Sequence, residues 1–171
     1  PENIAAAVSI AGATHPWPGK LERLYGWLSR PRIGPVLAHL LSAWVSDGYV
    51  RKAVDEVFSP QKAPSGYADA IGTPLVLRPH SLLANAQQRH QLRQHLHDLV
   101  PGYDRITIPV EAVHGTSDSI VSHSIHSEAL TRDIDGAALT LLPGIGHMPH
   151  HVTEDEVIAA IDAAARRAGL R

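Results

Sequence analysis

The sequence contains no cysteine, one phenylalanine and one methionine. Without cysteine there are no disulfides, no thiolate nucleophile and no zinc–thiolate centre. That absence fits a reducing compartment, and a cytoplasmic location is the expectation. No apolar run reaches the ~20 residues of a membrane-spanning helix. Excess charge of either sign is also missing. The 15 Lys and Arg against 17 Asp and Glu give a formal net charge of −2, which leaves no electrostatic footprint for nucleic acid or an anionic membrane. No His-Glu-x-x-His zinc motif occurs. Gly144 and Gly146 lack the further glycines and the lysine of a phosphate loop, so a turn is the better reading there.

What is present is the composition of a folded domain: 171 residues, of which 44% are hydrophobic and 19% charged, enough for one core. The chain opens without an initiator Met, on Pro1-Glu-Asn-Ile-Ala-Ala-Ala-Val, and runs almost at once into an apolar stretch. Position 1 reads as a cut in a longer polypeptide, which leaves any targeting signal open. Ile4–Ile10 is short and apolar enough for a buried parallel strand. From Lys20 to Val100 the period is helical. Leu21, Leu24, Tyr25 and Leu28 mark one helix. Pro35 opens a second with Val36, Leu37, Leu40, Leu41 and Trp44. Asp47-Gly48 breaks that helix, and Val50, Val54, Val57 and Phe58 mark a third. After the loop Ser59–Gly66, Pro79 begins a long helix that Pro101-Gly102 ends. Strand and helix then alternate: a strand at Val110–Val113, a helix at Ser122–Arg132, a strand at Ala138–Leu142. The last helix starts at Thr153, with Glu156 completing a capping box. Short strands alternating with helices predict a parallel sheet flanked by helices, here with a helical block inserted after the first strand.

Two residues stand out. Asp118 closes Ile108-Pro-Val-Glu-Ala-Val-His-Gly-Thr-Ser-Asp118, a strand, a glycine turn and an acid. His147 lies in Leu141-Leu-Pro-Gly-Ile-Gly-His-Met-Pro149, a strand running into a loop that presents a histidine. An acid and then a histidine, each just past a strand's carboxyl end, form the second part of a Ser…Asp…His order. The first part, a Gly-x-Ser-x-Gly nucleophile turn, occurs nowhere in the chain. Each residue also has a plainer reading: Asp118 as a turn residue after Gly115-Thr-Ser, and His147 as a loop histidine beside prolines. Of the 12 histidines, His147, His150 and His151 cluster, and His123 and His126 have i, i+3 spacing. Carboxylates are not matched to them in a metal-binding pattern, so no metal site is expected. His90, His95 and His97 are expected on the exposed side of the long helix. Trp17, Trp27, Trp44, Tyr25 and Phe58 fall in or near the helical block, as its core packing, as the lining of an apolar pocket, or as both.

The arrangement resembles the C-terminal half of the α/β-hydrolase fold. In that fold the sixth strand leads into a helical cap, then the seventh strand, a helix, the eighth strand and a terminal helix. The resemblance rests on the strand entry at Pro1–Val8, on Ile108–Asp118 as the acid-bearing strand and turn, and on Gly144-Ile-Gly-His-Met-Pro149 as the histidine loop, 29 residues beyond the acid. It implies an α/β fold class: about three parallel strands of a partial hydrolase sheet, with an inserted helical cap. Residues 1–14 would carry a core strand, 15–104 the cap, and 105–171 the rest of the core. It implies a hydrolase, with His147 as general base and acid and Asp118 as its orienter, acting on a small apolar ester or similar acyl substrate. The nucleophile, Ser or in some members Asp, would lie outside the chain, and no cofactor is implied. The alternative is a non-catalytic binding or regulatory module of the same fold. The expected partners are a small-molecule substrate and either the missing N-terminal half of the same protein or a second copy at the severed edge of the first strand. Nucleic acid and membrane are not expected.

Overall fold

The computed structural model describes residues 3–18 and 23–170. Three strands, β1 (Ala7–Ile10), β2 (Val110–Gly115) and β3 (Ala138–Leu142), form one parallel sheet in the order β1-β2-β3. Ala7 lies opposite Val110, and Glu111 opposite Ala138. Helices α1 (Arg23–Leu28), α2 (Gly34–Trp44), α3 (Asp47–Phe58), α4 (Tyr67–Ala70) and α5 (Pro79–Leu99) all fall between β1 and β2. Helix α6 (Ser127–Asp133) joins β2 to β3, and α7 (Pro149–Val152) and α8 (Glu154–Arg167) follow β3. Among the described residues no helix is long and apolar enough to cross a membrane. The chain divides into two compact units: 1–16, 57–62 and 96–171, and 17–56 with 63–95.

In the sheet unit the two-residue period of β2 sorts its side chains, and the whole strand is buried. Val110 and Ala112 face Leu130 and Ile134 on one side. Val113 faces Leu142, Val157 and Ala160 on the other. The valine, leucine and isoleucine side chains buried this way contribute ~1.5–3 kcal/mol each. The alternation also assigns the two polar residues of the strand. Glu111 falls on the α8 side and takes a hydrogen bond from Arg167 at 2.7 Å. His114 falls on the α6 side and meets Ser127 at the start of that helix.

The helical unit has its own core of Leu28, Ala38 and Ala86, packed by Tyr25, Leu37, Leu41, Leu82 and Leu83. Gly34 begins α2 where a β-carbon would stand 2.1 Å from the Leu28 carbonyl oxygen, so only glycine lets α1 and α2 approach this closely. On its outer side α2 presents Val36, Leu40 and Trp44, spaced four residues apart and exposed. Trp44, 85% exposed, is therefore not core packing.

Several elements differ from the sequence expectation. The first strand starts at Ala7, because only Ala7–Ile10 have partners on β2. It is half-exposed rather than buried, being an edge of the sheet. Lys20 and Leu21 lie outside the described residues. Asp47-Gly48 does not break the chain; the break falls at Val45-Ser46, and Asp47 opens α3. Residues 123–126 are turns, and α6 begins five residues later than expected. Thr153 makes no capping box, since its hydroxyl donates back to the Pro149 carbonyl at 3.0 Å, closing the short turn of α7.

Candidate active site

The carboxyl ends of β2 and β3 bring Asp118 and His147 together. His147 Nδ1 is 2.8 Å from Asp118 Oδ2. The acid is fully buried and the histidine is 23% exposed. A carboxylate only accepts, so Nδ1 carries the proton of this hydrogen bond and Nε2 is left with its lone pair. That is the tautomer a general base requires.

Asp118 has three further donors. The backbone N–H groups of Ile120 and Val121 donate to Oδ1 at 2.8 and 2.9 Å, an Asx-type turn that fixes the carboxylate plane. His114 Nε2 approaches Oδ2 at 3.1 Å. The same nitrogen lies 2.9 Å from the Val121 carbonyl oxygen. Both of its neighbours are acceptors, so Nε2 holds the proton, and Nδ1 accepts the Ser127 hydroxyl proton at 2.5 Å. A buried line therefore runs Ser127–His114–Asp118–His147. Burial pushes the Asp118 carboxyl up, but hydrogen bonds from His114, His147, Val121 and Ile120 outweigh it and hold the group well below the ordinary carboxylate range. Sequence reading passed over His114 as a strand residue. Its signal was an in-register polar residue inside a run of buried apolar ones.

Backbone contacts fix the histidine loop. The Ser117 N–H donates to the Ile145 carbonyl at 2.9 Å, and the Thr116 N–H to the Leu142 carbonyl at 3.0 Å. The Thr116 hydroxyl accepts the Gly144 N–H at 3.0 Å. Gly115 passes beneath this loop. A β-carbon on it would stand 2.1 Å from the Ile145 carbonyl oxygen and 2.4 Å from that of Gly146.

The remaining histidines serve other ends. His126 is buried, and its Nδ1 accepts the backbone N–H groups of Thr14 and His15 at 3.2 and 3.1 Å. His15 pairs with Asp133 at 3.0 Å, and His123 with Glu128 at 2.9 Å. The ring of His151 lies 5.8 Å from that of Phe58, which is buried in the sheet unit. His90, His95 and His97 are exposed on α5. Among the described residues no three His, Asp or Glu side chains converge to hold a metal ion.

His126 supplies a pH prediction. Burial, followed by the neighbouring His114 and His15, holds its imidazole below the ordinary histidine value, with Asp118 opposing. A folded value below the unfolded one means stability that is present above about pH 6.5 and lost as pH falls beneath it. The melting temperature should decline from pH 7 to pH 5. His126→Asn offers an oxygen to the same two N–H groups and does not titrate, so it should flatten that decline. Equal slopes in the two proteins would contradict this assignment.

No protein-family model matches the sequence, and no curated protein matches it. Among solved structures, the chain is similar to 2-hydroxy-6-oxo-6-phenylhexa-2,4-dienoate hydrolase from Rhodococcus sp. strain RHA1, with TM-score 0.68 and 15% identity over 93% of this chain and 54% of that one. It is similar to a thermophilic esterase from Thermogutta terrifontis, with TM-score 0.61 and 16% identity over 96% of this chain and 56% of that one. A third likeness is to an alpha/beta hydrolase enzyme from a Medee basin deep-sea metagenome library, with TM-score 0.54 and 16% identity over 95% and 54%. The chain thus spans little more than half the length of these structures, and at such identities the likeness speaks to the fold. With three parallel strands in order, helices inserted after the first, and matches to this class of structure, the chain has the fold of the C-terminal half of an α/β-hydrolase.

Proposed function

We propose that this chain supplies the acid and the histidine of a hydrolase catalytic triad. The observation that carries the reading is the 2.8 Å contact of Asp118 Oδ2 with His147 Nδ1 just past the ends of neighbouring parallel strands. Asp118 orients the imidazole and stabilises the imidazolium, and Nε2 takes the nucleophile's proton and returns it to the leaving group. The nucleophile, in this reading a serine on a Gly-x-Ser-x-Gly turn, belongs to polypeptide outside these 171 residues. In the same reading residues 15–104 act as the cap. The substrate in this reading is a small apolar acyl compound, and the reaction is ester hydrolysis.

The 171-residue chain by itself should then show no acyl-enzyme chemistry, because a histidine and an acid without nucleophile and oxyanion hole cannot form the intermediate. Incubation with an activated ester should give neither a burst nor an adduct by mass spectrometry. A trapped acyl group on this chain would refute the assignment of the nucleophile. In the longer polypeptide, a serine-directed phosphonate should label one residue, and His147→Ala should suppress the labelling. Labelling that ignores His147 would favour a binding module that retains the fold.

We also propose that the free edge of β1 is a pairing edge. Among the described residues no strand lies beyond it, and open edges recruit partners. The isolated chain should self-associate, or bind a complementary half, in size-exclusion chromatography. A strictly monomeric chain with a sharp, high-temperature melt would contradict this.

A further inference from the structure

The connection after α3 reaches the histidine loop through one side chain. Gln61 Nε2 donates to the Gly144 carbonyl at 2.8 Å, and Gln61 Oε1 accepts the Gly146 N–H at 2.9 Å. The carboxamide imitates a strand neighbour, with a donor and an acceptor side by side meeting the backbone on either flank of Ile145. Gly146, the residue before His147, also lies flat on this connection: a β-carbon there would stand 2.1 Å from the Ser59 carbonyl oxygen. Segment 57–62 belongs to the sheet unit, although both flanking stretches of chain belong to the helical one. Thr116 and Ser117 hold the loop from the β2 side. Without Gln61, the polar backbone groups it meets at Gly144 and Gly146 lose these partners, directly before the imidazole.

We infer that Gln61 is a positioning residue for His147. Its carboxamide sets the backbone from which the imidazole reaches Asp118, so the inserted segment takes part in holding the acid–histidine pair as well as in connecting helices. The inference rests on the reading of that pair as catalytic, but its test does not depend on turnover.

The test uses the 171-residue chain, nuclear magnetic resonance and two variants. Gln61→Ala removes both contacts. Exchange of the Gly146 amide should accelerate at least about tenfold, the effect of losing ~1.4 kcal/mol of protection. The His147 Nδ1 proton, held against Asp118 in the wild type, should broaden or disappear. Gln61→Glu keeps size, shape and an acceptor for the Gly146 N–H. At neutral pH its second oxygen replaces the donor and repels the Gly144 carbonyl, so Gly146 should stay partly protected while the His147 Nδ1 signal broadens as in Gln61→Ala. Near pH 4 the glutamate takes up a proton and regains a donor, and the His147 Nδ1 signal should recover. Recovery on protonation is a readout that a merely space-filling side chain would not give. Wild-type Gly146 exchange and an intact His147 Nδ1 signal in both variants would overturn the inference, as would losses in Gln61→Glu that acid does not reverse. Absence of hydrolysis in the longer polypeptide would instead sink the catalytic reading and leave these signals as they are.

Discussion

Asp118→Ala should destabilise this chain by about 3 kcal/mol, the sum expected when partly buried donors lose a charged acceptor. The Val121 N–H and the Nδ1 proton of His147 would be stranded and the exposed Ile120 N–H would turn to water, while His114 Nε2 would keep only the Val121 carbonyl. Urea denaturation of variant and wild type measures the difference. Asp118→Asn separates structure from chemistry. Its oxygen can still accept from Ile120 and Val121, so most of the stability should survive. Its amide nitrogen, however, would face His114 and His147 as a donor against donors. His147 can answer only by moving its proton to Nε2, the wrong tautomer for the proposed base. Where a nucleophile-bearing half completes the proposed triad, a loss of about 10⁴-fold in kcat is the expectation for that fault. The carboxylate also sets an acid limit. Because its folded value lies well below the ordinary range, its contribution is complete above about pH 4 and is lost as pH falls further toward that value. The acid limb of a melting curve should therefore be shallower in Asp118→Asn.

The second large effect is expected from Gly115→Ala. The added methyl would meet the Ile145 and Gly146 carbonyl oxygens at 2.1 and 2.4 Å. Both belong to backbone that Thr116, Ser117 and Gln61 already tie down. Neither side can yield without breaking β2–β3 pairing or lifting the histidine loop. A cost of about 3 kcal/mol or more follows, together with loss of the His147–Asp118 contact. Gly144→Ala is the control. It meets nothing within 4 Å, but its φ of +73° lies in the left-handed region, so only a strain of about 1 kcal/mol applies. Equal midpoints for the two variants in urea would mean that the loop is not pinned as described.

Local chemistry explains which parts of this molecule were legible in its sequence. The strands at 110–113 and 138–142 were readable because apolar runs bounded by Pro and Gly have few alternatives. The parallel direction followed from the helical connections, and the strand order from the resemblance to the hydrolase sheet. Asp118 and His147 were readable because each follows a glycine turn at a strand end. The structure brings them to 2.8 Å, a distance that spacing alone does not contain. His114 was hidden because a buried histidine among valines and alanines looks like a tolerated interruption until Ser127 is seen beside it. Gln61 was hidden for a different reason: its partners are backbone atoms more than 80 residues away, and glutamine in a Pro- and Ser-rich loop carries no local signal. Thr153 misled because a capping box competes with the preceding turn, and the Pro149 carbonyl won its hydroxyl.

The most direct test of the proposed catalytic assignment is the steady-state hydrolysis of short-chain esters by this sequence joined to the nucleophile-bearing half the proposal requires, compared with its His147→Ala and Asp118→Asn variants. The account predicts measurable turnover by the parent and a fall in kcat of about 10³–10⁴-fold or more in both variants, with KM nearly unchanged. Hydrolysis that proceeds at the parent rate after either substitution would contradict it.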